Sequence, residues 1–341
     1  MLKQKPYSVH FVCRGNAYRS RLAAAYLATL VNDRFAVSSS GVAASLSVVK
    51  TAEPYAQAVA RKHGVPFRMD PKVQTTSAGL AEADVIVFMH KSVYDEALQK
   101  FDFDARKAII WDVADVPQKL WDASRKTDNI QPLLPIAERT FAHIRQRCDV
   151  LYEYLTRTAW VDVVDHRNQS AGLRLPLAWV TDRGLWHRGV HVVAKTTDEK
   201  YVVGKRVHDI VFSPGMLEIS LGGGVDSGET PLQAARRETH EEIGILLPEK
   251  TFQPLFVHSR SRTYPKLGKQ SQAHLYVFSV TLPVHSEYLL RPEPAEVAEL
   301  RLLTTGQVKR MLRTNRAANF GRLKPEHRLY KKALAYSAHP R

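Results

Sequence analysis

The chain has 341 residues, 44% of them hydrophobic, which is long and apolar enough for two packed domains. Its net charge of +15 is dispersed rather than gathered into a polybasic block, so small anionic partners are expected and nucleic acid is not. No apolar run approaches the ~18 residues of a membrane span, the first residues lack the apolar region of a signal peptide, and two cysteines make no disulfide framework, so we expect a cytoplasmic protein.

A cysteine lies between the first strand-like run and the first helical run. Residues 7–13 are typical of a buried strand, and a helical pattern continues from Leu22 to Leu30. A helix N-terminus favours both a bound phosphate and a thiolate, and the planar guanidinium of Arg19 can hold two phosphate oxygens. A lone cysteine is usually a small buried hydrophobe. Here the position of Cys13 and the spacing C-x5-R-S indicate a nucleophile instead.

Residues 5–157 resemble the low-molecular-weight protein tyrosine phosphatase family. The matching segments come in the family's order: Phe-Val-Cys-Arg-Gly-Asn at 11–16, Arg19-Ser20, Val-Ser-Ser-Ser-Gly at 37–41 and Ala-Asp-Val-Ile-Val-Phe-Met at 83–89. The resemblance implies an α/β domain with a four-stranded parallel sheet, Cys13 as the nucleophile and no metal. It also implies a phosphate-binding loop in which Ser20 stabilises the thiolate and Asn16 braces the backbone. The residues of that loop are Arg14, Gly15, Asn16, Ala17, Tyr18, Arg19 and Ser20.

The family also needs a general acid, an Asp that is usually followed by Pro. Asp115 is our choice, although Val116 follows it, and Asp112 remains the alternative. The loop departs from the family in two further places, because Arg21 replaces a usual Pro and Tyr18 replaces a second cysteine. Arsenate reductases of this fold need further cysteines in a mobile segment. This sequence has none there, which argues against arsenate reduction.

A change in composition after residue 157 predicts a domain boundary. The long helical pattern that contains Cys148 ends near Thr158, so we expect a phosphatase-like domain at 1–157 and a second domain at 158–341. Both domains are basic, with net charges of +6 (22 basic and 16 acidic residues) and +9 (27 basic and 18 acidic residues). Both should therefore attract phosphorylated ligands.

Within residues 223–245 a glycine-rich loop runs into a helical pattern. Thr230 suits the N-cap, and Pro231 suits the first helical position. Four carboxylates follow closely, three of them at i, i+3 and i+4 on one helix face: Glu238, Glu241 and Glu242, with Glu229 just before the helix. Crowded carboxylates repel one another unless a cation neutralises them, and hard divalent cations prefer oxygen ligands. A solvated acidic face is the usual alternative.

The spacing of this stretch resembles the Nudix box, G-x5-E-x7-R-E-U-x-E-E-x-G-U, and departs from it only at Thr239. The resemblance implies an α/β/α domain with a mixed sheet that uses Mg²⁺ or Mn²⁺. It makes Glu241 a catalytic residue and gives Arg237 the role of holding the loop. The implied metal-binding residues are Glu238, Glu241, Glu242, Glu229 and, from a later segment, Glu296.

The segments before the box resemble a branch of the Nudix family related to isopentenyl diphosphate isomerase. Those isomerases need an active-site cysteine, and residues 158–341 contain none, so we reject isomerisation. His187 and His191 could be ligands, but structural roles are favoured.

The sequence therefore predicts a bifunctional phosphohydrolase. One half would be a cysteine-dependent phosphomonoesterase of the phosphotyrosine type, and the other a Mg²⁺-dependent pyrophosphohydrolase for a nucleoside diphosphate-linked substrate. The expected partners are small phosphorylated molecules or nucleotides and phosphotyrosine protein, without a membrane. The alternative is that one half senses a ligand and only the other is an enzyme.

Overall fold

The computed structural model describes residues 5–46, 51–208, 215, 217–264, 269–283, 290–291, 297–314 and 324–338. The chain divides into two compact units, Met1–Thr158 and Ala159–Arg341. In these described parts, no helix is both long and apolar enough to cross a lipid bilayer.

The first unit contains a four-stranded sheet in the order β2-β1-β3-β4, with every neighbouring pair parallel. Its strands are β1 (Tyr7–Cys13), β2 (Phe35–Gly41), β3 (Val85–Phe88) and β4 (Ala108–Ile110). Strand β3 is buried at all four residues, as expected of a parallel strand covered on both faces. The predicted parallel sheet is confirmed.

Six helices accompany this sheet: α1 (Arg19–Leu30), α2 (Pro54–Lys62), α3 (Ser77–Glu82), α4 (Lys91–Lys100), α5 (Gln118–Thr127) and α6 (Leu134–Arg157). The long helix α6 buries one stripe at helical spacing, which includes Phe141, Ile144, Cys148 and Leu151. Cys148 is fully buried in this stripe.

The second unit contains a mixed eight-stranded sheet. Its main order is β10-β11-β7-β5-β6, and β8 joins β7, β9 and β12. Strands β11 and β7 are parallel, and the other pairs are antiparallel. The strands are β5 (Trp160–Val164), β6 (Ser170–Pro176), β7 (Trp186–Lys195), β8 (Lys200–Arg206), β9 (Leu217–Glu218), β10 (Phe252–Tyr264), β11 (Lys269–Thr281) and β12 (Val297–Thr304).

Helices cover both faces of this sheet. They are α7 (Leu177–Asp182), α8 (Pro231–Ile243), α9 (Thr305–Thr314) and α10 (Lys324–Ala338). Alternate residues of β7 point to opposite faces: Val192 packs with Ala235 of α8, whereas Val193 packs with Leu329 of α10. The predicted α/β/α arrangement with a mixed sheet is therefore confirmed.

Candidate active sites

Cys13 ends strand β1, and a short loop carries the chain from it to helix α1. Its Sγ lies 3.0 Å from Ser20 Oγ, and the backbone N–H of Asn16 donates to it across 3.2 Å. The thiol is buried, with 3% of the residue exposed. The sulfur of Cys13 thus lies within hydrogen-bond distance of one hydroxyl and one backbone N–H of the loop that follows it.

Asn16 holds the loop in shape. It adopts a positive φ of 47°, which Asn tolerates better than most residues. Its Nδ2 donates to Ser20 Oγ (3.2 Å) and Ser39 Oγ (3.0 Å), and its Oδ1 accepts from the backbone of Val73 (2.9 Å). The bracing role that the family resemblance implied for Asn16 is consistent with these contacts.

Gly41, at the end of β2, lets this loop lie directly against the sheet. A Cβ at this position would come within 2.6 Å of the Asn16 nitrogen and 2.7 Å of the Arg14 oxygen. Both atoms belong to the backbone, so they could not move aside cheaply. The glycine of the Val-Ser-Ser-Ser-Gly segment is thus required by close packing.

Arg19 begins helix α1 and is buried. Its Nη1 donates to the Val113 carbonyl across 2.9 Å, and its Nη2 donates to the Asp115 carboxylate. The other oxygen of Asp115 accepts from the backbone N–H of Val116 (2.9 Å). The guanidinium therefore links the phosphate loop to the segment that carries Asp115.

Asp112, the alternative acid, lies elsewhere. Its side chain is 89% exposed and faces His90 Nε2 at 3.3 Å. Asp115 instead lines the same cavity as Cys13. The geometry therefore favours Asp115, which stays our proposal for the acid.

A cavity of about 380 Å³ opens above Cys13. Its lining combines loop residues, acidic and basic side chains and aromatic rings: Cys13, Arg14, Gly15, Ala17, Tyr18, Arg19, Ala43, Glu53, Tyr55, Lys72, Asp115, Val116, Gln118 and Trp121. Asn16 and Ser20 are fully buried and contact the sulfur and the loop instead. Tyr18 is also buried, and its hydroxyl donates to the Ala137 carbonyl across 2.9 Å.

The cavity residues that were not predicted from the sequence include Glu53, Tyr55, Lys72 and Trp121. They come from α2, α5 and the segment before α3, far along the chain from the Cys13 loop. The Glu53-Pro54 pair marks a helix start, but no local pattern points toward Cys13. Burial raises the pKa of Glu53 and lowers that of Lys72, as expected for charged groups removed from water.

In the second unit, helix α8 begins where its sequence predicts. The Thr230 side chain accepts from the Gln233 backbone, and the Gln233 side chain accepts from the Thr230 backbone, which completes a capping box. Pro231 is the first helical residue, and Gly244 ends the helix in the left-handed conformation. These caps define both ends of α8.

Arg237 lies at the centre of the carboxylate cluster on α8. It contacts Glu229 (3.0 Å), Glu238 (2.8 Å) and Glu241 (3.0 Å), and it donates to the Gly224 carbonyl (2.9 Å). Burial disfavours its charge, but the surrounding carboxylates outweigh that effect and raise its pKa. The implied role of Arg237 in holding the loop is consistent with these contacts.

The carboxylates do not share one environment. Glu238 and Glu242 are buried, and Glu242 accepts from the backbone N–H of Gly222 across 2.8 Å. The side chain of Glu241 is 50% exposed. A Cβ on Gly223 would lie 2.4 Å from Glu238 Oε1. Because glycine has no side chain, the carboxylate of Glu238 can lie directly against this loop.

This cluster fits a divalent cation in its chemistry, since Glu229, Glu238, Glu241 and Glu242 all offer carboxylate oxygens, the ligands that hard cations prefer. Its present arrangement is centred on Arg237. Among the residues that the structure describes, no three His, Cys, Asp or Glu side chains are grouped so as to hold a metal ion. Glu296, the fifth predicted ligand, lies outside the described residues.

His187 is buried in strand β7, and His191 of the same strand is partly buried. Burial lowers the pKa of His187 to about 4 and that of His191 to about 3. His191 Nδ1 lies 2.6 Å from Ser220 Oγ, and its ring lies edge-on to that of Tyr330. These neutral, packed rings agree with the structural roles favoured from the sequence.

Two family models match the chain in separate regions. The model described as low molecular weight phosphotyrosine protein phosphatase matches residues 8–161, and the NUDIX domain model matches residues 185–323. The narrower resemblance to the isomerase branch is not confirmed by these matches.

Several curated proteins are similar to part of the chain. Nudix hydrolase 3 of Arabidopsis thaliana is 34% identical over 97 residues, which are 28% of this chain and 13% of that protein. An uncharacterized Nudix hydrolase of Yersinia pestis is 38% identical over 86 residues, 25% of this chain and 47% of that protein. The uncharacterized Nudix hydrolase YfcD of Escherichia coli K12 is 35% identical over 91 residues, which are 27% of this chain and 50% of that protein. The chain thus spans at most about half the length of these relatives.

Solved structures are similar to one part of the chain at a time. Wzb from Vibrio vulnificus, in complex with benzylphosphonate, has a TM-score of 0.36 and 21% identity, covering 44% of this chain and 99% of that one. The YwlE arginine phosphatase from Geobacillus stearothermophilus has a TM-score of 0.37 and 22% identity, covering 45% and 94%. The chain therefore contains one region that matches the low molecular weight phosphotyrosine protein phosphatase model and a second region that matches the NUDIX domain model, and both families are hydrolases.

Proposed function

We propose that the protein is a two-headed phosphohydrolase, and that its first head hydrolyses phosphomonoesters through a phospho-cysteine at Cys13. The observation that carries this proposal is the buried Sγ at the floor of a cavity, with the Asn16 amide and Ser20 beside it. Arg19 and Asp115 line the same cavity, which brings an anion-binding group and a proton donor to one place.

The chemistry follows from these positions. The Cys13 thiolate attacks phosphorus, forming the S–P bond as the bond from phosphorus to the leaving oxygen breaks. Arg19 and the backbone amides of residues 14–20 hold the charged phosphoryl oxygens. Asp115 gives its proton to the leaving oxygen, then takes a proton from the water that attacks the phospho-cysteine and releases phosphate. The attack requires Arg19 to engage the phosphoryl group and Asp115 to be released from Arg19.

The test measures 4-nitrophenyl phosphate hydrolysis by the full chain in the presence of a metal chelator. We expect turnover in the wild type and none in Cys13→Ser. Cys148→Ser is the matched control, because that thiol is buried away from the cavity in α6. Equal rates in the wild type and Cys13→Ser would contradict the proposal.

We infer that the second head cleaves a diphosphate linkage in a nucleoside diphosphate-linked substrate. Glu238, Glu241 and Glu242 would hold Mg²⁺ or Mn²⁺, with Glu229 assisting and Glu296 adding a ligand. A bound divalent cation would neutralise phosphate charge and lower the pKa of a water molecule. Arg237 positions Glu229, Glu238 and Glu241, each through an ion pair.

This second head is tested in the Cys13→Ser background, so that the first head cannot release phosphate. A panel of nucleoside diphosphate-linked compounds is incubated with the chain and Mg²⁺ or Mn²⁺. Glu241→Gln should lower kcat by orders of magnitude with little loss of fold, whereas Glu249→Gln, outside the cluster, should have no effect. Hydrolysis that continues unchanged in chelator would overturn the metal assignment.

The domain assignment belongs to the same proposal: residues 1–157 as the phosphatase head and 158–341 as the Nudix head, acting in the cytoplasm. The alternative, in which one head only senses a ligand, is not favoured. Each head keeps the side chains its chemistry needs, and a sensor would not require both an acid and a nucleophile.

A further inference from the structure

The cavity above Cys13 contains a cation that does not come from the phosphate-binding loop. Lys72 lines this cavity together with Cys13 and Arg19. The next residue, Val73, donates its backbone N–H to Asn16 Oδ1 across 2.9 Å. Since Asn16 also braces the loop, the backbone beside Lys72 is fixed relative to the cysteine.

The charges around Lys72 show what it can bind. Burial lowers its pKa, while Glu53 and Cys13 are close enough to raise it. Among the described residues that line the cavity, the charged side chains are three cations, Arg14, Arg19 and Lys72, and two carboxylates, Glu53 and Asp115. The proposed mechanism assigns Arg19 to the reacting phosphoryl group, and Lys72 is a second cation of the lining that can contact another anionic group of a substrate.

The remaining wall of the cavity is aromatic. The rings of Tyr18 and Tyr55 meet edge to face at 5.0 Å, and the Arg125 guanidinium stacks on Trp121 at 4.9 Å. The rings of Tyr18, Tyr55 and Trp121 thus supply apolar surface to the cavity above Cys13 Sγ. An aromatic leaving group fits such walls because ring–ring contacts add to the area that is buried.

We propose that Lys72 is a specificity-determining residue that recognises a second negative charge on the substrate. The preferred substrate class is then an aryl phosphate with a further carboxylate or phosphate on or beside the ring. This inference rests on the proposed phosphatase function. Glu53 moderates the preference, because it competes with the second charge of the substrate for Lys72.

The experiment compares kcat/KM of the full chain for phenyl phosphate with that for 3- and 4-carboxyphenyl phosphate. The informative quantity is the ratio between charged and uncharged substrates, because a general loss of activity cancels in it. We expect Lys72→Met to lower this ratio roughly tenfold, the effect of losing one charge-assisted hydrogen bond. Lys72→Arg should preserve it.

Glu53→Gln gives a prediction of opposite sign. The substitution removes the carboxylate that competes for Lys72. It should therefore raise the ratio of kcat/KM for carboxyphenyl phosphate to that for phenyl phosphate several-fold. The side chain of Glu53 makes no capping hydrogen bond to α2, so this substitution leaves the helix start intact. A ratio that Lys72→Met leaves unchanged, even if both rates fall, would overturn the inference.

A binding measurement separates this inference from the proposed chemistry. Kd values for phenylphosphonate and carboxyphenylphosphonate are measured with Cys13→Ser protein and with the same protein carrying Lys72→Met. A roughly tenfold loss confined to the carboxylated ligand supports recognition by Lys72, even if no turnover is found. Equal losses for both ligands would instead place Lys72 on the phosphoryl group and overturn the inference.

Discussion

At the scale of single residues, the choice between two aspartates decides how the leaving group is protonated. Asp115 lines the cavity and contacts Arg19, whereas Asp112 is exposed beside His90. Asp115→Asn should therefore slow phenyl phosphate hydrolysis by a factor of about 10²–10⁴, the usual contribution of a general acid. The loss should shrink for 4-nitrophenyl phosphate, whose leaving group needs less help from a proton donor.

Asp112→Asn is the matched control and should leave both rates within a factor of about two. The measurement is the steady-state rate of each variant and of the wild type on phenyl phosphate and 4-nitrophenyl phosphate. If Asp112→Asn proves to be the slow variant, the acid has been assigned to the wrong residue.

A second prediction at this scale concerns Gly41, which packs against the backbone of the phosphate loop. Gly41→Ala would place a carbon 2.6 Å from the Asn16 nitrogen, so the loop must shift. Displacement of catalytic groups by about 1 Å commonly costs about 10² in rate. We expect a loss of this order in kcat/KM, together with a lower Tm.

The control is Gly306→Ala in α9, where the nearest atom to an added carbon is 4.0 Å away. It should keep wild-type activity and Tm. Wild-type kinetics in Gly41→Ala would show that the contact with the loop does not position the catalytic groups.

At the scale of elements, helix α8 depends on its capping box to begin at Pro231. Thr230→Ala removes the side chain that accepts from the Gln233 backbone and should destabilise the helix start by about 1 kcal/mol. Hydrogen exchange measured by mass spectrometry should show faster exchange in the first turn of α8. The Thr230→Ser variant keeps the hydroxyl and should show the exchange rates of the wild type. Equal protection of the first turn of α8 in the wild type, Thr230→Ala and Thr230→Ser would argue against the cap.

At the scale of the whole molecule, buried histidines predict acid sensitivity in both units. Burial lowers the pKa values of His10 and His187 to about 4 and that of His191 to about 3. These pKa values lie below the ~6.5 of a histidine in an unfolded chain. Between about pH 4 and 6.5 the unfolded chain therefore binds more protons than the folded chain. The free energy of unfolding must therefore fall as the pH is lowered through this window, by up to about 1.4 kcal/mol per pH unit for each histidine.

Urea unfolding at pH 7 and pH 5 checks this prediction. His191→Gln should reduce the difference between the two conditions for the second unit, because the position can no longer take up a proton on unfolding. His166→Gln, at an exposed position, should leave the difference unchanged. Identical pH dependence in all three proteins would show that His191 is not held neutral.

The presence of both heads in one chain suggests that they act in series. Cleavage of a diphosphate linkage yields phosphomonoesters, which a cysteine phosphatase consumes. Once a Nudix substrate is found, the wild type should release inorganic phosphate from it, and Cys13→Ser should stop at the monoester. Equal phosphate release by both proteins would mean that the heads act on unrelated substrates.

The sequence by itself determined the two folds and the local parts of each site. Cys13, Asn16 and Arg19 lie within seven residues, so the turn from β1 to α1 suffices to bring them together. The carboxylates of α8 were likewise predictable, because helical spacing fixes which of them share a face. The helix start at Thr230 followed from capping rules that involve only neighbouring residues.

Only the tertiary structure decided what surrounds these groups. Glu53, Lys72 and Trp121 reach the Cys13 cavity because parallel strands bring the ends of distant segments together, and no periodic pattern records that meeting. The contact with Arg19, which favours the sequence-based choice of Asp115 over Asp112, also required the folded chain. The ion pairs of Arg237 also required the folded loop, which places Glu229 beside the helix. Short-range rules thus determined the elements and motifs, whereas contacts between distant segments determined which residues surround them.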